Sequence, residues 1–297
     1  MPDYTKNHVV PVALLRGFTD SSGRLCVFMP KTGRVLRNQL PENVAHHSKF
    51  YWVEGGNDPA VLEKGLANEV DGPAATVFAR LRERPRLPNA TELGHLVLFI
   101  AFQMVRVPGF REWQRELLRT SIPSELADEL TPQEFESAKS SFGDPGVSFN
   151  DYQRLLKTGK IVAQLDKNEE LRSKAQQAAA IVPWLLKRNW SVRVVPVGAP
   201  PLVSSDVPVK SITRHENSFT VTTGRLGWPN TESVLAISKQ LLLHGRISAP
   251  TVSFLTPDAV RDFNLATAWG AARVFSSEPA IEGLDPRAPM NASKVAR

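Results

Sequence analysis

Apolar positions follow two regimes along this chain: short β-prone runs at both ends and long helical periods between them. Residues 24–29 and 34–37 flank the turn Pro30-Lys31-Thr32-Gly33, which predicts a hairpin. Residues 49–53 carry aromatic and β-branched positions suited to another strand, stopped by Gly55-Gly56. Asp58-Pro59 reads as a cap and first helical residue, and Val61, Leu62, Leu66 and Val70 follow at helical spacing. Gly72-Pro73 is expected to break that helix before a second run through Val77, Phe78 and Leu81.

From Thr91 the period is helical again. Leu93 to Val105 leaves almost no polar face, the mark of a buried helix, and Pro108 ends or kinks it. Residues 121–190 are mostly helical and more polar, with a helix start at Thr131-Pro-Gln-Glu134 and a kink expected at Pro183. After Trp190 the short runs return at 192–196, 202–204, 218–222 and 234–238. Thr256-Pro257-Asp258 opens a last helix, expected to run to about Phe275. The expected architecture is a single α+β domain over residues 1–277. It has a mostly helical centre, strands from the two terminal regions meeting in one sheet, and a loose tail over 278–297.

Composition narrows this little. The chain has 297 residues, 42% hydrophobic and 22% charged, an ordinary globular balance. The one cysteine, Cys26, excludes an internal disulfide, and residues 1–10 show no basic segment followed by an apolar stretch. The longest apolar run, 96–105, is short of the roughly 20 residues a membrane span needs. A cytoplasmic protein without membrane contact is expected. The net charge of +6 hints at an anionic ligand or nucleic acid, but the basic residues are scattered except for Arg80, Arg82, Arg84 and Arg86.

Standard signatures are missing. There is no phosphate-binding glycine loop, no Gly-x-Ser-x-Gly, no His-Glu-x-x-His and no zinc spacing of cysteines and histidines. What remains is a set of polar residues in apolar settings. His8, before Val9-Val10-Pro11, has a side chain that titrates near neutrality and could serve as a base, or could simply pin the chain to a backbone group. Arg16 sits among Leu14, Leu15 and Phe18 and could hold a phosphate or carboxylate, or pair structurally. Gln103 and Arg106 share a face of the most apolar helix, so Arg106 requires an anionic partner from the protein or a ligand. Asp206, at a strand end in Ser204-Ser205-Asp206-Val207-Pro208, could be a base, a metal ligand, the partner of a buried arginine or a turn cap. Glu63 and Glu69, six apart, do not share a helix face closely. Asn264 interrupts the last helix.

Together these residues resemble domain of unknown function 4238. The resemblance rests on His8-x-Val10-Pro11, Leu15-Arg16-x-Phe18, Phe50-Tyr51, Glu69, Gln103-x-x-Arg106-x-Pro108, Ser205-Asp206-x-Pro208-Val209, Asn264 and Ala272-Arg273-Val274-Phe275, and it covers roughly residues 6–277. The family often has tyrosine where Val9 stands and asparagine where Val207 stands. The resemblance implies no activity. It selects the same polar positions that are awkward to bury.

The expectation is a pocket in which His8, Arg16, Gln103, Arg106 and Asp206 converge, with Glu69 and Asn264 at its edge. Arg16, Gln103, Arg106 and Asn264 would bind substrate, His8 and Asp206 would catalyse, and Glu69 with Asp206 could hold a divalent metal. The matching chemistry is hydrolysis of a phosphate-containing or nucleic-acid substrate. The alternative is a non-catalytic nucleic-acid or protein binding module in which Arg106 and Asp206 form a structural ion pair.

Overall fold

The computed structural model describes residues 6–55, 57–142, 146–161, 165–214, 219–222 and 230–279. The chain divides into two compact units: residues 1–107 with 171–297, and residues 108–170.

The first unit opens with β1 (Lys6–His8) and one helical turn, α1 (Val12–Leu15), which continues into a 3-10 turn, Arg16–Phe18. The hairpin β2 (Leu25–Met29) and β3 (Arg34–Gln39) forms as expected, and β4 (His46–Ser48) returns to pair with β1. The strand expected at 49–53 stops short. Lys49 has φ +51°, a left-handed conformation that ends the ladder, and the Tyr51 amide is held by Asn7 Oδ1 at 3.0 Å instead of a strand.

Next comes a continuous helical run: α2 (Val61–Leu66), a π segment (Ala67–Asp71) and α3 (Gly72–Glu83). Ala60, not Asp58, is its N-cap; Asp58 folds a turn by accepting from the Ala60 amide at 3.1 Å. Gly72-Pro73 does not break the run. The π segment widens the turn just before it, and a β-carbon at Gly72 would lie 2.9 Å from the Ala67 carbonyl oxygen. Helix α4 (Ala90–Arg106) opens on a capping box, with the Asn89 side chain accepting from the Glu92 amide. Phe78 and Phe99 meet edge to face at 5.0 Å where α3 packs on α4.

The second unit holds α5 (Pro108–Arg119), α6 (Ser121–Glu129), α7 (Pro132–Phe142) and α8 (Phe149–Lys157). Thr131 and Glu134 cap α7 reciprocally, as the sequence predicts. Helix α9 (Lys167–Leu186) runs on through Pro183, and from Leu171 onward it belongs to the first unit.

The remaining strands are β5 (Asn189–Val194), β6 (Ser204–Ser205), β7 (Val209–Arg214), β8 (Phe219–Thr222), β9 (Thr231–Ser238), β10 (Leu241–Arg246) and β11 (Val252–Phe254). After them come α10 (Pro257–Ala268) and β12 (Val274–Ser276). The last helix ends seven residues before the expected Phe275, because Trp269 is extended and Gly270 takes φ +67°, the usual left-handed stop.

The fold is α+β, but the strands form three sheets among the described residues rather than one. A two-stranded ribbon joins β1 and β4. A six-stranded sheet runs β11-β5-β10-β9-β7-β8. A four-stranded sheet runs β3-β2-β12-β6, and here strands from the two terminal regions do meet. Strands β9 and β10 are buried on both faces, and each carries an apolar run, Val234 to Ile237 and Leu241 to Leu243. The small residues late in the chain pack closely: Ala268 and Ala271 share a core cluster with Phe28, Val203 and Val274.

Gly245 on β10 faces Trp190 on β5, and a β-carbon there would lie 2.9 Å from the indole. Trp190 is buried and its Nε1 donates to the Leu185 carbonyl at 3.0 Å, so the ring cannot step aside. Gly245→Ala is expected to cost about 1–3 kcal/mol by urea denaturation. Gly94→Ala, on an exposed position of α4 with open space around it, is expected to gain about 0.5–1 kcal/mol in the same assay.

Candidate functional site

Arg106 ends the most apolar helix and is 2% exposed. Its Nη1 donates to Asp71 Oδ1 at 2.7 Å, so the carboxylate partner is Asp71, in the π segment, and not Asp206. Nε and Nη2, the two groups that form the other edge of the guanidinium, are buried with no hydrogen-bond partner. Tyr51 Oη and Gln103 Oε1 are likewise buried and unpartnered, while Gln103 Nε2 donates to the Val9 carbonyl at 2.7 Å. Buried polar groups are normally satisfied, so several orphan atoms in one neighbourhood mark it out.

Glu63 completes the group. It lies on α2, bonds to the Asn7 side chain, and interacts electrostatically with Arg106, Asp71 and Tyr51. The π segment explains the pairing of Glu63 with Asp71. Eight residues of regular α-helix would leave them about 80° apart around the axis. One residue absorbed by the wide turn brings them to within roughly 20° of one face. This is why the sequence spacing, read as uninterrupted helix, conceals the pair; Glu69, which the family resemblance singles out, is exposed.

Burial pushes the Glu63 carboxyl up to about 7, with Asp71 reinforcing the shift and Arg106 and Asn7 opposing it. Burial also raises the Asp71 carboxyl, against the pull of Arg106. Burial works against the Arg106 charge, but Asp71, Tyr51 and Glu63 outweigh it and hold the guanidinium above its ordinary range. The Tyr51 phenol is pushed up, chiefly by burial, and stays protonated. Glu63 and Asp71 are only part-buried, so the two carboxyls are the members of the group that reach solvent.

The other expected site residues lie in different settings. His8 Nε2 is 3.2 Å from the Glu42 carbonyl, its ring meets His46 edge-on at 5.7 Å, and burial holds its pKa below the ordinary imidazole value. Arg16 is exposed and pairs with Glu42 at 2.9 Å, so it is a surface ion pair and not a cation of the buried group. Asn264 is buried and structural: its Oδ1 accepts from the Val203 amide at 3.0 Å and its Nδ2 donates to the Pro201 carbonyl at 2.9 Å.

Asp206 heads a second polar cluster. Its Oδ1 accepts from the Ala272 amide at 3.1 Å, burial raises its carboxyl, and Lys210, Arg273 and His47 act on it or feel its charge. Lys210 is buried, donates to the Trp269 carbonyl at 2.7 Å, and is driven down to about 7 by burial. Among the described residues no group of three or more histidine, cysteine, aspartate or glutamate side chains could hold a metal ion.

The basic run is absorbed locally. Arg86 grips Glu92 with two bonds of 2.6 Å, Arg80 reaches the same carboxylate at 3.5 Å, and Arg82 donates to carbonyls. Sequence reasoning passed over Asn7, Tyr51 and Asp71. Tyr51 stands in the Phe50-Tyr51 pair, and Asn7 adjoins His8, but nothing in a linear pattern shows that either faces Arg106 or Glu63.

An α+β first unit carrying a buried arginine, an acid near neutrality and a phenol is a class of structure rather than a function. The chain belongs to the protein family of unknown function DUF4238, whose pattern it matches over residues 6–279. No curated protein and no solved structure matches it. No single helix among the described residues is long and apolar enough to cross a membrane.

Glu63 has a testable linkage. Its folded pKa, about 7, lies above the ordinary 4.5, so folding takes up a proton between those values. Stability therefore falls as pH rises from about 4.5 to about 7, and the full cost persists above that. Glu63→Gln is expected to raise the melting temperature at about pH 8 and to leave it unchanged near pH 4. Thermal denaturation across that range checks it; parallel curves for the two proteins would overturn the assignment.

Proposed function

We propose that the protein is a hydrolase of a phosphate-containing substrate, centred on Arg106, Glu63, Asp71 and Tyr51. The observation that supports this reading is the Arg106 edge formed by Nε and Nη2. Two parallel N–H donors on one guanidinium edge match two oxygens of a phosphate or carboxylate, and here no protein group takes them. Asp71 fixes the guanidinium from Nη1, leaving that edge oriented.

In this reading Arg106 holds two non-bridging oxygens of a phosphodiester, and Tyr51 donates to the same group. Glu63, at about 7, is half protonated near neutrality and gives its proton to the leaving ester oxygen. Water attacks phosphorus, the ester P–O bond breaks, and the proton lost by water returns to Glu63. The expected roles of His8 and Asp206 as catalysts pass to Glu63. A cytoplasmic setting belongs to the same proposal and rests on the lone thiol of Cys26.

A second reading is favoured by the 2.7 Å bond itself: Arg106 and Asp71 could be a structural ion pair in a binding module. Nucleic acid is a weaker partner for that module, because Arg80 and Arg86 are already committed to Glu92.

The test is hydrolysis of bis(p-nitrophenyl) phosphate together with thermal protection by inorganic phosphate. The catalytic reading expects turnover that declines as Glu63 loses its proton above about pH 7, and a loss of about 10²–10⁴-fold in Glu63→Gln with folding intact. Neither turnover nor protection, with Asp71→Asn costing about 3–5 kcal/mol, would leave the structural pair.

A further inference from the structure

A groove of about 480 Å³ lies away from the Arg106 group and shares none of its residues. Its volume suits a small organic ligand. Its polar lining includes Arg16, Asp20, Arg82, Ser238, Lys239 and Gln240. Its apolar lining includes Val197 and Phe254, and Phe254 is 72% exposed.

Arg82 is the unusual member. Its Nε and Nη2 donate to the carbonyls of Ala13, Leu14 and Ile237, at 2.5–3.2 Å, and no carboxylate among the described residues pairs with it. Burial alone lowers its pKa, to about 10, with no acid to offset the cost. The arrangement is built in at some expense. Gly17 lies so close that a β-carbon there would sit 2.6 Å from Arg82 Nη2 and less than that from the Ile237 carbonyl oxygen. The Lys239 amide locks Gly17 by donating to its carbonyl at 2.9 Å.

The charges around it leave a deficit. Arg16 is matched by Glu42. Asp20, which also lines the groove, spends its Oδ1 on the Ser22 amide and hydroxyl and the Arg24 amide, and interacts electrostatically with Lys239. Lys239 Nζ donates to the Thr19 carbonyl at 2.9 Å, which holds the ammonium at the groove. Among the described residues no hydrogen bond from Arg82 Nη1 and no counter-ion for its guanidinium is present. The exposed Phe254 ring lines the same groove.

We propose that this groove binds a small planar ring carrying one oxyanion, with the oxyanion between Arg82 and Lys239 and the ring against Phe254. A charge-neutralising anion completes the environment of Arg82, and a flat ring covers an aromatic face that the fold leaves open. The site is separate from the hydrolytic proposal and stands without it.

The experiment is calorimetric titration of the full chain with adenosine monophosphate, adenosine and inorganic phosphate as probes. Saturable binding of the monophosphate is expected, with adenosine and phosphate each at least tenfold weaker, since each supplies one half of the recognition. Phe254→Ser, at an exposed position, is expected to weaken the monophosphate about tenfold. Lys239→Met should weaken the monophosphate and leave adenosine unchanged. Glu63→Gln should change none of these values, which separates this site from the Arg106 group. Absence of saturable binding by the monophosphate, or binding that ignores both Phe254→Ser and Lys239→Met, would overturn the proposal.

Discussion

A guanidinium buried at the end of the most apolar helix must find a negative charge, and the first third of the chain is shaped by that need. Arg106 cannot be left alone in a core, because an unpaired buried charge costs more than a small domain can spare. Its position in the last turn of α4 gives a modest dipole benefit, but the decisive contact is Asp71 at 2.7 Å. Asp71 is presented by the π segment, and the same distortion carries the chain through Gly72-Pro73 into α3. One irregular turn thus supplies the countercharge, keeps the helix continuous and aligns Glu63 with the pair. Satisfying Arg106 with a single bond leaves one guanidinium edge, a phenol and an amide oxygen without partners. A purely structural pair would be expected to close that account more fully.

Much of the architecture was legible in the order of residues. The β2–β3 hairpin, the buried character of α4, and the caps at Thr131 and Thr256 all follow from local rules that the fold does not override. The misses come from conformations that composition cannot announce. A left-handed lysine, Lys49, ends a strand that its neighbours favour, and a left-handed Gly270 ends a helix whose alanines would extend it. The candidate site was legible in part. Arg106 and Gln103 stood out because a polar pair on an apolar helix demands an explanation. Asp71 and Tyr51 did not, because their relevance depends on a change of helical register and on a turn held by Asn7. Asp206 stood out for its place at a strand end, and it does follow β6, but its surroundings are Lys210, Ala272 and Arg273.

The molecule distributes its awkward charges rather than gathering them. Arg106 and Asp71 form one centre, Asp206 and Lys210 another, and Arg82 stands apart under carbonyl oxygens. Each centre ties together elements distant in sequence. Arg82 spans from α3 to α1 and β9; Asp206 connects the end of β6 to the residues before β12. Such cross-ties fix the relative placement of layers in a way that apolar packing, which is non-directional, does not.

The four-stranded sheet has an implication for how the chain comes to be folded during synthesis. Its order is β3-β2-β12-β6, so the first hairpin is completed by a strand from residues 274–276. The hairpin leaves the ribosome well before β12, so its inner edge stays open while the residues between them are made. Throughout that interval β2 offers unpaired backbone groups next to buried Leu25, Val27 and Phe28. Nascent chains therefore carry an open edge flanked by apolar side chains over that interval, the kind of transient surface on which chains associate wrongly.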